Sequence, residues 1–300
     1  MKFTLLDGGL GISLHYLGHD IKNDKTFGAG LIKSNPSLLE TVHRDFIDAG
    51  SDAILTSTYQ GSSDLLAAHF NISKEEALSL ITESVKFARL CTENVKRNIK
   101  IGGSLGPFGA HLCDMSEYSG SYMKTYATSS IKNHFQEMVS AIAKGNPDFI
   151  AFETIPSLEE AIIISELMRD EFPQILYYIS LSCKNESRTC AGDDILKAFQ
   201  QLYEEYSSPS FLGIGVNCTA AENILPILKS IKPFVPAGKE IIVYPNAHYN
   251  VTSTSGPGPN PILPNIMDWI TFGATWIGGC CGVTSSHISE INDFRLLPSK

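Results

Sequence analysis

The amino-acid sequence predicts a single-domain α/β protein with a (β/α)8 TIM-barrel fold. Eight short apolar runs, most of them rich in β-branched residues, recur along the 300-residue chain, and each is too short for a core helix. Amphipathic stretches of helical length separate these runs, as expected for parallel strands joined by crossover helices. An open, doubly wound sheet is the alternative, but no Gly-x-Gly-x-x-Gly segment follows the first run. The closed barrel is therefore favoured.

The predicted strands are apolar runs, most of which lead into Gly, Asn, Asp, Glu or Cys, as buried parallel strands entering loops would. They cover residues 3–6, 53–56, 101–104, 149–152, 176–181, 212–216, 241–244 and 275–277. The predicted helices share an apolar stripe at helical spacing. They cover residues 38–49, 74–96, 130–144, 158–170, 195–205 and 220–229. Three of them open with capping-box patterns, at Ser73, Ser157 and Thr219.

Neither a linker nor a low-complexity segment divides the sequence, which predicts one domain over residues 1–300. The first four predicted strands lie nearly fifty residues apart and the later ones about thirty, so we expect long βα loops in the first half. The clearest insertion covers residues 106–121, and a second covers residues 246–264. Both follow predicted strands, at the end of a barrel where active sites lie.

Charge and composition exclude several classes of protein. Lys and Arg total 23 against 32 Asp and Glu, a net charge of −9, which argues against a nucleic-acid partner because phosphate contacts need clustered basic residues. The longest apolar stretches fall well short of the about 20 residues that span a bilayer. Asp7 interrupts the amino terminus before any signal-peptide core could form. An odd number of cysteines, seven, predicts reduced thiols and a cytoplasmic protein.

Three cysteines follow predicted strands and should meet at one rim of the barrel. Cys218 follows the sixth strand, and the adjacent pair Cys280 and Cys281 follows the eighth. Three thiolates around one point suit a zinc ion that keeps its fourth position open for chemistry. An adjacent pair alone is more often two buried small residues or a vicinal disulfide. Glycines on both sides of the pair permit the turn that aims both thiols at one ion.

The remaining cysteines give weaker signals. Cys113 lies in the first long loop, where it could approach a substrate. Cys183 and Cys190 flank a polar loop and could pair with each other, although an incidental, reduced role is expected for both.

Seven segments of the chain resemble the zinc-dependent homocysteine S-methyltransferase family, in the family's order and over nearly the full length. They include Asp7-Gly8-Gly9, Asn217-Cys218 and Gly279-Cys280-Cys281 within residues 5–11, 53–60, 103–110, 152–156, 215–219, 244–246 and 278–282. The resemblance implies a TIM barrel in which Cys218, Cys280 and Cys281 bind Zn²⁺. It also implies a reaction in which homocysteine accepts a methyl group and becomes methionine.

The resemblance implies roles for further residues at the strand ends. Asp7 and Glu153 match carboxylates that hold the amino group of homocysteine, and Gly8 and Gly9 offer backbone N–H groups to its carboxylate. Tyr59 matches a tyrosine that occupies the open metal position before the substrate arrives.

Two asparagines at strand ends are similar to substrate-orienting groups of the family. Asn217, beside the metal cysteine, is interpreted as part of the catalytic machinery. Asn246 is interpreted as a substrate-binding residue. The alternatives are a strand-end turn for Asn217 and a loop cap for Asn246.

The loop at residues 106–122 resembles that of the branch that takes its methyl group from a sulfonium donor, S-methylmethionine or S-adenosylmethionine. It contains Glu117 and several hydroxyls for the amino-acid end of such a donor. Its aromatic residues Phe108, Tyr118 and Tyr122 could surround a sulfonium, and ordinary packing of the loop is an equal alternative for them. Met115 stands where the branch has glycine. A different thiol or selenol acceptor, such as selenocysteine, and a non-catalytic zinc-stabilised binding barrel are the alternatives.

Overall fold

The computed structural model describes residues 2–247 and 257–297. Within them, eight parallel strands form one sheet in the order β1-β8-β7-β6-β5-β4-β3-β2. The strands are β1 (Thr4–Leu5), β2 (Ala53–Leu55), β3 (Lys100–Leu105), β4 (Phe149–Ile155), β5 (Tyr177–Ser182), β6 (Phe211–Ala220), β7 (Glu240–Asn246) and β8 (Trp276–Ile277). All eight predicted strands are confirmed, as is the (β/α)8 barrel.

Helices surround the barrel and fill its long loops. They are α1 (Leu10–Tyr16), α2 (Leu31–Ser34), α3 (Pro36–Asp48), α4 (Ser63–Phe70), α5 (Lys74–Leu90), α6 (Phe108–Leu112), α7 (Thr128–Lys144), α8 (Leu158–Glu171), α9 (Ile195–Glu205), α10 (Ala221–Ile231), α11 (Ile266–Thr271) and α12 (Ser285–Leu296). The six predicted helices are α3, α5, α7, α8, α9 and α10. Most of the others have eight residues or fewer, too few for a clear period. Across the described ranges, no helix combines the length and apolar character needed to cross a bilayer.

Two of the predicted capping boxes have contrasting outcomes. The Ser73 Oγ accepts the N–H of Glu76 at 3.2 Å, and the Glu76 carboxylate accepts the N–H of Ser73 at 2.9 Å, so this box is confirmed. The box at Thr219 is wrong because β6 continues past it to Ala220. The hydroxyl of Thr219 instead accepts the N–H of Cys183 at 3.0 Å, which ties β6 to the end of β5.

Side-chain carboxylates join β1 to β2, where the sheet lacks ladder pairing. The N–H of Leu5 donates to Asp52 Oδ2 at 2.9 Å, and the N–H of Asp52 donates back to the Leu5 carbonyl at 2.6 Å. Nearer the carboxyl ends, the N–H of Leu55 donates to Asp7 Oδ2 at 2.8 Å. Asp7 therefore has a structural role in closing the barrel.

Aromatic side chains fill the barrel interior, so the barrel is a packed core and its upper layer forms the floor of the cavity above. The Phe149 ring lies 5.7 Å from that of Tyr178 and 5.2 Å from that of Trp276. The hydroxyl of Tyr178 donates to that of Tyr244 at 3.2 Å. A second apolar layer packs between the strands and the outer helices.

A buried carboxylate anchors the first long loop. Glu160, at the start of α8, accepts the N–H of Phe108 at 2.7 Å and the hydroxyl proton of Tyr122, two groups at opposite ends of the loop. The Ser157 hydroxyl accepts the N–H of Glu160 at 3.2 Å, but the Glu160 side chain turns to the loop, so this capping box is only half formed. Burial raises the pKa of Glu160 to about 7.

Replacing Glu160 tests this anchor. We expect Glu160→Ala to lower the free energy of unfolding by about 2–4 kcal/mol, because two buried donors lose their acceptor. Chemical denaturation measures the loss, and Glu159→Ala, at an exposed position in the same helical turn, is the control. Equal stability of the two variants would show that the loop does not depend on Glu160.

A candidate metal and amino-acid site

A cavity of about 420 Å³ opens at the carboxyl ends of the strands. Thiols, carboxylates and aromatic rings line it. They come from the carboxyl ends of β1 to β4 and β6 to β8, from the segment after β1 and from the first long loop. The predicted residues Asp7, Gly8, Gly9, Tyr59, Glu153, Cys218, Cys280 and Cys281 all lie on its wall. The sequence prediction that these positions meet at one rim is confirmed.

Three cysteine sulfurs form a compact cluster in the wall. The Sγ of Cys218 lies 2.7 Å from that of Cys280 and 3.8 Å from that of Cys281, and all three lie within 4.8 Å of one another. A tetrahedron with metal–sulfur bonds of about 2.3 Å has edges of about 3.8 Å. No fourth Cys, His, Asp or Glu among the described residues completes the group. The set can hold a metal ion and leave one position open.

Glycines in the turn itself and in the neighbouring segment after β1 shape the turn that carries the cysteine pair. Gly282 adopts φ +82°, a left-handed conformation that glycine favours. A Cβ on Gly9 would lie 2.6 Å from the carbonyl oxygen of Cys280, and one on Gly8 would lie 2.6 Å from that of Val283. The predicted turn is confirmed, and side chains at either position would displace it.

The cluster is electrostatically unfavourable without a cation. The hydrogen bond with Cys218, the adjacent Cys281 and burial together raise the pKa of Cys280 well above its usual range. Thiolates this close repel one another unless a positive charge lies between them. The donor set therefore fits a metal ion by its chemistry. The separation of the Cys218 and Cys281 sulfurs matches the edge of a zinc–sulfur tetrahedron, whereas the Cys218 and Cys280 sulfurs lie closer together than that edge.

Two buried carboxylates face the same cavity. Asp7 gives one oxygen to Leu55, and Glu153 accepts the hydroxyl proton of Ser104 through Oε1. Burial raises the pKa of Asp7 well above its usual range, and the charge of Glu153 adds to the effect. Burial raises the pKa of Glu153 to about 7, although hydrogen bonds from Ser104 and Tyr244 oppose it. Paired in this way, the carboxylates attract a cation.

Asn217 in β6 forms two hydrogen bonds with Thr154 in β4, below the cysteine cluster, and this pair of bonds is the clasp between the two strands. Its carbonyl oxygen accepts the N–H of Thr154 at 2.7 Å, and its amide donates to the Thr154 hydroxyl at 2.8 Å. Thr154 has φ +64° and Cys218 has φ +47°, so both strands leave regular geometry beside the clasp. These breaks aim Glu153 and Cys218 at the cavity.

Comparison with known proteins places this site in a family. The family model described as homocysteine S-methyltransferase matches residues 4–294. The chain is 32% identical to a Zea mays protein named homocysteine S-methyltransferase 4, covering 96% of this chain and 88% of that protein. It is 28% identical to the betaine-homocysteine S-methyltransferase of Drosophila melanogaster, covering 91% and 88%. The crystal structure of metallated homocysteine methyltransferase MmuM from Escherichia coli matches with a TM-score of 0.85 and 26% identity, covering 98% and 96%.

The chain belongs to the homocysteine S-methyltransferase family. The resemblance inferred from its seven segments is confirmed.

The structure adds detail on three predicted residues of this family member. Asn217 is fully buried behind the cavity wall, and its amide lies 3.9 Å from the Cys280 sulfur, so it contacts the cysteine cluster and its catalytic role stays a prediction. Asn246 ends β7 outside the cavity wall, with its Oδ1 buried and lacking a hydrogen-bond partner among the described residues. The N–H of Gly9 donates to the Val283 carbonyl at 2.8 Å and is occupied, whereas no described hydrogen bond uses that of Gly8.

Sequence reasoning missed Thr154, whereas Tyr118, which it named for the donor site, does line the cavity. Tyr118 faces the cysteines, and the charge of Cys218 is the main cause of the raised pKa of its hydroxyl, ahead of burial. Phe108 and Tyr122, predicted with it as a cage, are buried beneath the loop and do not line the cavity. No feature of the sequence indicates which of these three rings lines the cavity.

Other sequence predictions concern residues outside the cluster. All seven cysteines are thiols, so Cys183 and Cys190 do not pair. Cys113 lies at the cavity wall. Much of the second predicted insertion, residues 248–256, lies outside the described residues.

Replacing Asn217 tests whether the clasp supports both the stability of the fold and the retention of the metal. We expect Asn217→Ala to lower the free energy of unfolding by about 2–4 kcal/mol, because the buried N–H of Thr154 loses its acceptor. The same variant should lose metal to a competing chelator faster, because the backbone of Cys218 is less constrained. Denaturation and chelator-exchange measurements, with the exposed Asn98→Ala as control, check both. Unchanged metal retention would limit Asn217 to a purely structural role.

Proposed function

We propose that the protein is a zinc-dependent homocysteine S-methyltransferase that takes a methyl group from S-methylmethionine or S-adenosylmethionine. One observation carries the proposal: the clustered thiols of Cys218, Cys280 and Cys281 and the buried carboxylates of Asp7 and Glu153 face a single cavity. Such a cavity can hold a thiol at one end of a small amino acid and an ammonium at the other.

Cys218, Cys280 and Cys281 would hold the zinc ion, since soft thiolate ligands suit it. Zinc supplies one effect when bound, a lower pKa for a thiol at its open position, so that homocysteine reacts as a thiolate at neutral pH. A free alkyl thiol, with a pKa of about 8.5, is mostly protonated there.

Asp7 and Glu153 would bind the ammonium of homocysteine. Asp7 keeps one carboxylate oxygen beyond the one given to Leu55. Glu153 accepts hydrogen bonds from Ser104 and Tyr244, and its carboxylate would have to accept the ammonium alongside them. The ammonium would favour the ionised form of both carboxylates and relieve their repulsion. The N–H of Gly8 would donate to the carboxylate of the substrate.

The transfer itself needs no general base. The homocysteine thiol first loses its proton to solvent, and its sulfur then attacks the methyl carbon in line with the donor sulfur. A carbon–sulfur bond forms as the donor's bond breaks, and the electron pair stays on the donor sulfur as a neutral thioether. Opposite charges cancel along this path, so a cavity that excludes water favours it. Tyr59 and Tyr118 shield the reacting sulfur from solvent.

A non-catalytic, zinc-stabilised barrel fits these observations less well. Structural zinc sites usually close with four protein ligands, whereas the described residues supply three. A purely structural zinc site would also need no pair of buried carboxylates facing the cavity, as Asp7 and Glu153 do.

The pH dependence of homocysteine binding tests the role of Glu153. Its carboxylate must be ionised to bind an ammonium, so the KM for homocysteine should rise as pH falls through about 7. Glu153→Gln should raise that KM about 10- to 100-fold at pH 8, the loss of one charge-assisted hydrogen bond, and flatten the profile between about pH 6 and 8. Steady-state kinetics check both, with exposed Glu204→Gln as control. A wild-type profile retained by Glu153→Gln would overturn the assignment.

Donor preference and metal removal test the reaction as a whole. We expect about one zinc per chain, methyl transfer to homocysteine fastest from S-methylmethionine, slower from S-adenosylmethionine and none from betaine. Chelation should abolish turnover, and zinc should restore it. Elemental analysis and product chromatography provide the measurements. Full turnover by zinc-free protein would contradict the proposed zinc dependence. Equal turnover with betaine would contradict the proposed sulfonium donor. Faster methylation of selenocysteine than of homocysteine would show that selenocysteine is the preferred acceptor.

A further inference from the structure

Glu117 is a buried carboxylate in the cavity wall that the homocysteine end of the site does not use. It lies in the 3-10 turn Ser116–Tyr118 and is 6% exposed. Its Oε2 is buried and has no hydrogen-bond partner among the described residues, and none of the ion pairs found there includes it. Such a carboxylate is costly unless a cation or a donor reaches it.

The charges around Glu117 increase this cost. Burial raises its pKa, and Asp114, three residues earlier, adds repulsion. A bound cation would remove both effects. Because Glu117 lines the cavity, that cation can belong to a ligand.

The protein holds this turn in place from both sides. A Cβ on Gly109 would lie 2.7 Å from the backbone nitrogen of Glu117, so α6 and the turn approach as closely as glycine allows. Glu160 fixes the loop before and after the turn, through Phe108 and Tyr122. Glu117 is therefore part of a built site.

Glu117 and Glu153 line the same cavity as Tyr59 and Cys218. After burial, the charges of Cys218, Glu117 and Glu153 all raise the pKa of the Tyr59 hydroxyl. The cavity thus has two negative positions, one at Glu153 with Asp7 and one at Glu117. Exposed Lys22 and Lys25 line its mouth and add positive charge.

We propose that Glu117 binds the α-ammonium of the methyl donor and selects donors that are α-amino sulfonium compounds. This inference rests on the proposed methyl transfer. The two ammonium groups of acceptor and donor would be held at separate carboxylates, with the two sulfurs meeting beside Cys218 and Tyr59. Lys22 and Lys25 would attract the donor's carboxylate. Betaine has no N–H to donate, and a sulfonium without an amino group leaves Glu117 unpaired.

The test compares S-methylmethionine with its deamino counterpart, (3-carboxypropyl)dimethylsulfonium, which keeps the same reacting sulfur and carboxylate. With zinc-loaded full-length protein and saturating homocysteine, the wild type should favour S-methylmethionine about 10- to 100-fold in kcat/KM. In Glu117→Gln, this preference should fall to within about threefold, through loss with S-methylmethionine alone. The KM for homocysteine should not change.

Asp114→Asn is the matched control, because it removes a charge from the same loop at an exposed residue outside the cavity wall. It should keep the wild-type preference. Equal losses with both donors in Glu117→Gln would reduce Glu117 to a loop-positioning role and overturn the inference, as would an unchanged preference. Should Glu117→Gln fail to fold, Glu117→Asp, which keeps the charge, must retain part of the preference.

Calorimetry separates failure of this inference from failure of the proposed reaction. If the wild type transfers methyl from neither donor, the proposed reaction is wrong and binding alone decides the role of Glu117. S-methylmethionine must then bind the wild type at least about tenfold more tightly than it binds Glu117→Gln. Equal binding, or none to the wild type, would overturn the inference.

Discussion

The clasp between Asn217 and Thr154 is the interaction on which the functional end of this barrel depends. It joins β4 to β6 across β5, at the point where both strands break. Thr154 and Cys218 take left-handed backbone conformations that non-glycine residues rarely adopt, and such strain persists only where surrounding structure enforces it. The buried amide of Asn217 provides that constraint, because it accepts one hydrogen bond from Thr154 and donates another to it.

The site brings several acidic side chains and thiols together in a buried place, where their negative charges lower the stability of the fold. Burial raises the pKa of Asp7, Glu153 and Glu117, and close packing raises that of Cys280. Each charged group costs stability in the unliganded protein, and each has a cationic ligand that would remove the cost. The proposed metal, acceptor ammonium and donor ammonium are all positive, so the same charge distribution would bind all three. The overall net charge of −9 does not reveal this local arrangement.

The sequence predicts the barrel well because its strands are short apolar runs that alternate with amphipathic stretches of helical length, and the carboxyl ends of parallel strands must share one rim. For the same reason, Cys218, Cys280 and Cys281 could be brought together from the sequence. The direction of individual side chains could not be predicted from the sequence. Tyr118 faces the cysteines, whereas Phe108 and Tyr122 from the same loop are buried. Tertiary hydrogen bonds also override local patterns. Asp7 accepts from Leu55 to close the barrel, and Thr219 bonds to Cys183 rather than capping a helix.

The central claim is that one cavity binds homocysteine by both ends, with its sulfur at the cysteine cluster and its ammonium at the buried carboxylates. A crystal structure of the zinc-loaded protein with homocysteine tests this most directly. The predicted result is electron density for the amino acid with its sulfur beside Cys218, Cys280 and Cys281 and its nitrogen within hydrogen-bond distance of Asp7 and Glu153. A homocysteine bound with its nitrogen away from both carboxylates, or with its sulfur away from the cysteines, would contradict it.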